Sequence, residues 1–183
     1  STTLTNVTAG ISSVTASVNG NNQSVDTTFV ADSGTGTIVK GNLTILSDNA
    51  KADGADTNMV QAIVTDANSN RVQNVAVKFT ATHGATVTTV SAMTNAQGEA
   101  TTTLTNTQSG VSSVTASINN NNQMVDTTFI PDGGTATIIS GALVVTKDNA
   151  KADGAATNEV KATVTDAGGN RVQNAPVSFV ADN

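Results

Sequence analysis

Few residues in this 183-residue chain could carry out chemistry, and their spacing argues against most reactions. His83, the one histidine, stands between Thr82 and Gly84 at the end of a strand-like run with no serine- or cysteine-based motif beside it. A catalytic base needs a nucleophile and an orienting carboxylate within hydrogen-bond reach. His83 is therefore expected in a solvated loop, and neither a catalytic residue nor a cofactor is expected. Asp48, Asp53 and Asp66 are candidate Ca²⁺ ligands, because loops at the ends of a sandwich can gather carboxylates and oxygen-rich clusters bind Ca²⁺. Against that, Lys51 lies among them, no D-x-[DN]-x-[DN]-G run is present, and Asp56 is replaced by Ala156 in a second copy of the stretch. Asx-turns on a negative, soluble surface explain the same residues. Arg71 and Arg171 each follow a turn and could pair with a nearby aspartate, an exposed pair adding only about 0–1 kcal/mol.

Composition excludes further classes. The chain has no cysteine, so neither a disulfide framework nor a thiolate metal site can form. Its net charge of −6 has the wrong sign for steering onto nucleic acid or anionic lipid. No run approaches the roughly 18 apolar residues of a membrane helix. With four Phe and no Trp or Tyr, any core must be built from Val, Ala, Ile, Leu and threonine methyls.

The elements that would position such residues are repeated. Asp48 to Phe79 returns almost letter for letter as Asp148 to Phe179, offset by 100 throughout, and 52 of the 83 positions in 1–83 match those in 101–183. A period this long exceeds the 20 to 50 residues of solenoids, so each unit can bury its own core. Within a unit, Val and Thr alternate with period two, and Gly, Asn and Asp punctuate at short intervals, so the chain reads as all-β. Met59–Val64 could bury either face; its copy puts Glu159 and Lys161 on the odd positions, so Val60, Ala62 and Val64 should face inward. By the same reasoning Val75, Val77 and Phe79, then Ala100, Thr102 and Leu104, Val114, Ala116 and Ile118, and Val125, Thr127 and Phe129 point in. Strands are expected near 42–46, 57–65, 74–82, 85–92, 99–105, 111–119 and 122–130. Seven strands in about 90 residues is the pattern of an immunoglobulin-like sandwich, here lacking the disulfide, core Trp and tyrosine corner of antibody domains.

Several segments carry a family resemblance: Leu43-Thr44-Ile45, Asp48 through Gly54, Val64-Thr65-Asp66-Ala67, Val77-Lys78-Phe79, Thr94 through Ala100, Leu104-Thr105, and Gly110 through Phe129. The series resembles the bacterial Ig-like domain, group 1, found in tandem in intimin- and invasin-type adhesins (inverse autotransporters), and it covers essentially the whole chain. The resemblance implies a stalk of Ig-like domains arranged end to end, projecting from a bacterial outer membrane where a β-barrel outside this sequence anchors it. It also implies a distal lectin-like tip that carries Cys and Trp and binds a host surface receptor. Neither residue type occurs here, so receptor contact is expected only through regions absent from this sequence.

In that frame residues 1–39 are the C-terminal strands of a preceding repeat, 40–139 a complete repeat, and 140–183 the N-terminal strands of the following one. Asp32-Ser33-Gly34-Thr35 and Pro131 through Thr135 mark short junctions across which neighbouring repeats should touch. The expected partners are those neighbouring repeats. If 1–39 and 140–183 were true chain ends, each would expose apolar faces and strand edges, and head-to-tail self-association into a filament would be expected. A module that binds a host glycan or protein directly, through its loops or a Thr-rich sheet face, is the rival reading.

Overall fold

A computed structural model describes residues 1–182. Its elements in chain order are the strands β1 (Gly10–Val18), β2 (Asn21–Phe29), β3 (Leu43–Ser47), β4 (Ala50–Lys51), β5 (Asn58–Ile63), β6 (Ala76–Ala81), β7 (Thr86–Val87), β8 (Ser91–Met93), β9 (Glu99–Thr105), β10 (Gly110–Ile118), β11 (Asn121–Ile130), β12 (Leu143–Lys147) and β13 (Glu159–Ala162). Short 3-10 turns at Ser33–Thr35 and Gly133–Thr135 sit on the two expected junctions.

Strands β3 to β11 form a two-sheet sandwich. One sheet has the order β3-β5-β9-β7 and the other β4-β11-β10-β6-β8. The alternation read from the sequence sets which side chains fill it: Val60, Ala62, Val64, Val77, Phe79, Ala100, Leu104, Val114, Ala116, Ile118 and Phe129 all lie in one buried cluster. Thr102 and Thr127 are buried with them, and among the described residues every buried side-chain N or O atom has a hydrogen-bond partner. Val75 and Val125 are only partly buried and pack on the margin of the cluster. The β10–β11 hairpin closes through Asn119 and Asn120, both at positive φ, the backbone of a two-residue turn whose twist matches that of the strands. The β1–β2 hairpin uses Asn19 and Gly20 in the same way.

Two features differ from the expected seven strands. The stretch expected as one strand over 85–92 divides: Thr86 and Val87 pair with β9, Thr88 and Thr89 anchor to Thr103 and Thr102, and the chain then crosses to pair with β6 from Phe79–Val90 onward. The second is β4, which was not expected. After a register shift between Ile45 and Ser47, the chain turns at Asn49 (φ 62) and leaves β5 to join β11 in parallel, Phe129 opposite Ala50 and Ile130 opposite Lys51. Both lateral edges of the sandwich are thus crossed by a chain that belongs to each sheet in turn, which shortens the exposed edges.

Phe79 and Phe129 are the largest fully buried side chains, and Phe79 has no exposed surface. Phe79→Ala should lower unfolding free energy by about 3–5 kcal/mol, read by chemical denaturation; a loss below about 1 kcal/mol would contradict the packing described.

Candidate functional site

The chemistry-bearing residues singled out above do not converge on one centre. β3 and β11 run in the same direction and β5 runs opposite, so Asp66, just past the end of β5, lies at one end of the sandwich, and Asp48 and Asp53, past the end of β3, lie at the other. Among the described residues no group of three or more His, Asp or Glu is spaced to hold a metal ion. His83 lies exposed in the turn after β6 at φ 55, with its ring against Gly110 and its carbonyl accepting from Asn106 Nδ2 at 2.8 Å. Arg71 and Arg171 make backbone bridges to Thr65 and Thr165 rather than ion pairs. The one salt bridge among the described residues joins Lys51 Nζ to Asp132 Oδ1 at 3.0 Å.

Each of the three aspartates instead accepts from N–H or O–H donors of the chain. Asp53 Oδ1 accepts from the N–H groups of Ala55 and Asp56 at 2.8 Å, an Asx-turn of the kind expected from the sequence. Asp48 Oδ1 accepts from the Thr127 hydroxyl at 2.7 Å and the Thr128 N–H at 2.8 Å. Burial pushes the Asp48 carboxyl up, but those two bonds outweigh it and hold the group below the usual carboxylate value.

Asp66 has the richest set, and it builds the site the chain is organised around. Its Oδ1 accepts from the backbone N–H groups of Asn68 and Asn70, both at 2.9 Å, and its Oδ2 from the backbone N–H of Asp32 at 3.0 Å, across the junction. Asn70 Nδ2 bonds both carboxylate oxygens and also the carbonyl of Val7 at 2.9 Å, while Asn70 Oδ1 accepts from Ala9 N–H at 2.8 Å. Thr35 Oγ1 accepts from Ala67 N–H, and Thr37 pairs with Thr65. One loop, 64–71, therefore grips the segment before β1 and the segment after β2 together.

The same arrangement recurs 100 residues later. Asp166 Oδ2 accepts from Asp132 N–H at 3.0 Å, Asn170 Oδ1 from Ser109 N–H at 2.8 Å, and Asn170 Nδ2 bonds the Thr107 carbonyl at 3.0 Å. Thr135 Oγ1 accepts from Ala167 N–H, and Thr137 pairs with Thr165. Here the gripped segments are the β9–β10 loop and the exit of β11, so the two clamps sit at opposite ends of the sandwich. A cleft of about 240 Å³ beside the second clamp is lined in part by Asp53, Asp132 and Asp166. The Asn70 side chain lowers the Asp66 pKa against the opposing effect of burial, with the N–H groups of Asp32, Asn70 and Asn68 adding to it. At Asp166 burial is the largest influence and raises the value, yet the Asn170 side chain and the same backbone donors bring it below normal.

Gly98 braces the clamp from beneath. It sits at φ +70 in the turn made by Asn95, and its carbonyl accepts from Val64 N–H. A Cβ there would lie 2.6 Å from the Val64 carbonyl and 3.2 Å from the Val72 nitrogen.

A family model, the bacterial Ig-like domain (group 1), matches residues 40–130 and 140–183. The chain belongs to that family. It is similar to the inverse autotransporter adhesin YeeJ of Escherichia coli K12, 35% identical over 185 residues, which cover 97% of this chain and 8% of that protein. Among solved structures, invasin, described as a bacterial integrin-binding protein, is 26% identical with a TM-score of 0.57, covering 93% of this chain and 34% of that one. InvD of Yersinia pseudotuberculosis shares the fold at 16% identity and a TM-score of 0.64, over 90% of this chain and 52% of its own. The chain thus spans a small part of YeeJ and about a third to a half of the two solved chains.

The repeat itself carries a sequence signal for the clamp. Asp66 and Asn70 recur as Asp166 and Asn170 although Asn68-Ser69 between them becomes Gly168-Gly169.

Asn170→Ala should speed amide exchange at Ser109 and leave that of Val60 and Phe79 unchanged, as read by hydrogen-exchange NMR. Gly98→Ala should cost more than about 1 kcal/mol, since a Cβ is forced into a left-handed backbone against a carbonyl; a neutral result by denaturation would contradict the brace. The lowered carboxyl values fix the sign of the pH response. Each clamp aspartate contributes stability in full above its unfolded pKa of about 3.9 and loses it as pH falls through the lower folded value. The amide shifts of Asp32 and Asp132 should titrate together with a midpoint below about pH 3.9.

Proposed function

We propose that this chain is a spacer segment from the stalk of a bacterial surface adhesin, with residues 40–139 forming a complete Ig-like repeat between parts of two others, and that it holds a distal binding domain away from the outer membrane. The observation that carries the reading is the clamp itself: the same aspartate and asparagine grip the neighbouring repeat, through the same backbone groups and at nearly the same distances, on both sides of the sandwich. A junction tied at two separate segments resists bending and twisting, which a spacer requires and a freely presented binding module does not. The similarity to an inverse autotransporter adhesin supports a place on the cell surface.

The outer surface supports the same reading. Interfaces draw most of their binding energy from a few buried anchors, chiefly Trp, Tyr and Arg. The chain has no Trp or Tyr, and the two phenylalanines of the sandwich, Phe79 and Phe129, are in the core.

The purified chain should show no saturable binding to host-cell or extracellular-matrix surfaces in a biosensor assay. Saturable binding that is lost when the outward threonines Thr101 and Thr103 are both changed to Ala would overturn the spacer reading in favour of direct adhesion.

A further inference from the structure

The unexpected strand β4 sets the direction in which the sandwich meets tension. A pull along a stalk enters the sandwich ahead of β3 and leaves it after β11. β4 continues the path of β3 and lies parallel to β11, so tension drags β4 and β11 in opposite senses along one axis. All bonds between them are then loaded together, whereas an antiparallel pair peeled from one end loses its bonds one at a time.

The bonds concentrated there are numerous for so short a pairing. Asn49 N–H donates to the Thr128 carbonyl at 3.1 Å and Ala52 N–H to the Ile130 carbonyl at 2.7 Å. Asp48 Oδ1 takes Thr127 Oγ1–H and Thr128 N–H, charge-assisted bonds of the stronger kind. Asn58, fully buried at the start of β5, accepts from Ala50 N–H at 2.8 Å and donates Nδ2–H to the Thr128 carbonyl at 2.9 Å, tying both sides of the pairing to the opposite sheet. Lys51 Nζ then reaches Asp132 beyond the end of β11. In the second copy of the motif no strand forms at Ala150–Lys151, and Asp148 accepts from Asn149 N–H instead. The local sequence does not make this strand by itself; the contact with β11 does.

We propose that Asp48 to Ala52, bonded to Thr127 to Ile130 and pinned by Asn58, is a shear clamp that bears tensile load along the chain. The stalk reading supplies the physiological source of that load, and the clamp deepens it by naming the part of each repeat that must hold. Asp48 and Thr127 carry the load-bearing bonds nearest the entry of force. Core residues such as Leu104 on β9 contribute to stability but not to the sheared pairing.

The test holds the 183-residue chain by its two ends in a single-molecule pulling experiment. Unfolding of the central sandwich is recognised by a length gain of about 270 Å, from roughly 90 residues at about 3.3–3.6 Å each less a folded span of about 30–40 Å. Asp48→Ala and Thr127→Val should each raise the unfolding rate under load by about tenfold or more, from the loss of bonds to a charged acceptor. Leu104→Ala, which creates a core cavity and costs more equilibrium stability, should lower the unfolding force less than either. Thr127→Val keeps the buried volume and serves if Asp48→Ala does not fold. Unfolding forces that simply follow equilibrium stability, wherever the substitution lies, would overturn the clamp, as would unchanged forces in both clamp variants. The measurement involves no receptor, so its failure would leave the spacer reading intact, and saturable host binding would leave the mechanical result intact.

Discussion

A carboxylate filled by N–H donors is the interaction on which the rest of this structure depends. Asp66 and Asp166 each accept from the N–H groups of their own loop, from the asparagine four residues on, and from the backbone of the junction before them. A buried or half-buried carboxylate is tolerated only when its lone pairs are used. Placing one at the seam between repeats therefore converts a local requirement into a fixed geometry between neighbours. The asparagine extends the grip to a second segment, because its amide both donates to one carbonyl and accepts from one N–H.

Seen this way, the composition has a physical sense. A chain whose core is built largely of Val and Ala, with few aromatics, has little large apolar surface to place at its junctions. Directional hydrogen bonds fix orientation over a small area more effectively than apolar contact does. The aspartates singled out as candidate Ca²⁺ ligands take part in this task, in the turn at Ala55–Asp56 and in the pairing of β4 with β11: both oxygens of Asp66 accept hydrogen bonds, and Oδ1 of Asp53 and of Asp48 does.

How far the sequence foretold this depended on the range of the interactions. The inward parity of Val60, Ala62 and Val64 was legible because the two copies differ at the outward positions, Met59 against Glu159 and Gln61 against Lys161, while the inward ones stay apolar. The break near Thr89 had a signal too: Val87 and Val90 are three apart, out of step with period two. By contrast β4 was invisible, since Ala50 and Lys51 carry no strand pattern and become a strand only beside Phe129 and Ile130, some 79 residues away. Asp66 is legible in the sequence as a carboxylate but not as a clamp, because its partner Asp32 is 34 residues distant and those of Asn70 are 61 and 63 away. Turn chemistry is local and reads well; junction chemistry is set by the fold.

Small-angle X-ray scattering on the 183-residue chain at neutral pH addresses the rigid, repeated junction most directly. The account predicts elongated particles, single or joined end to end, whose profile is the same at low and high salt, since the clamps are short, largely enclosed hydrogen bonds rather than screened surface charge. A compact globule, or a profile that requires a broad ensemble of bend angles between repeats, would contradict it.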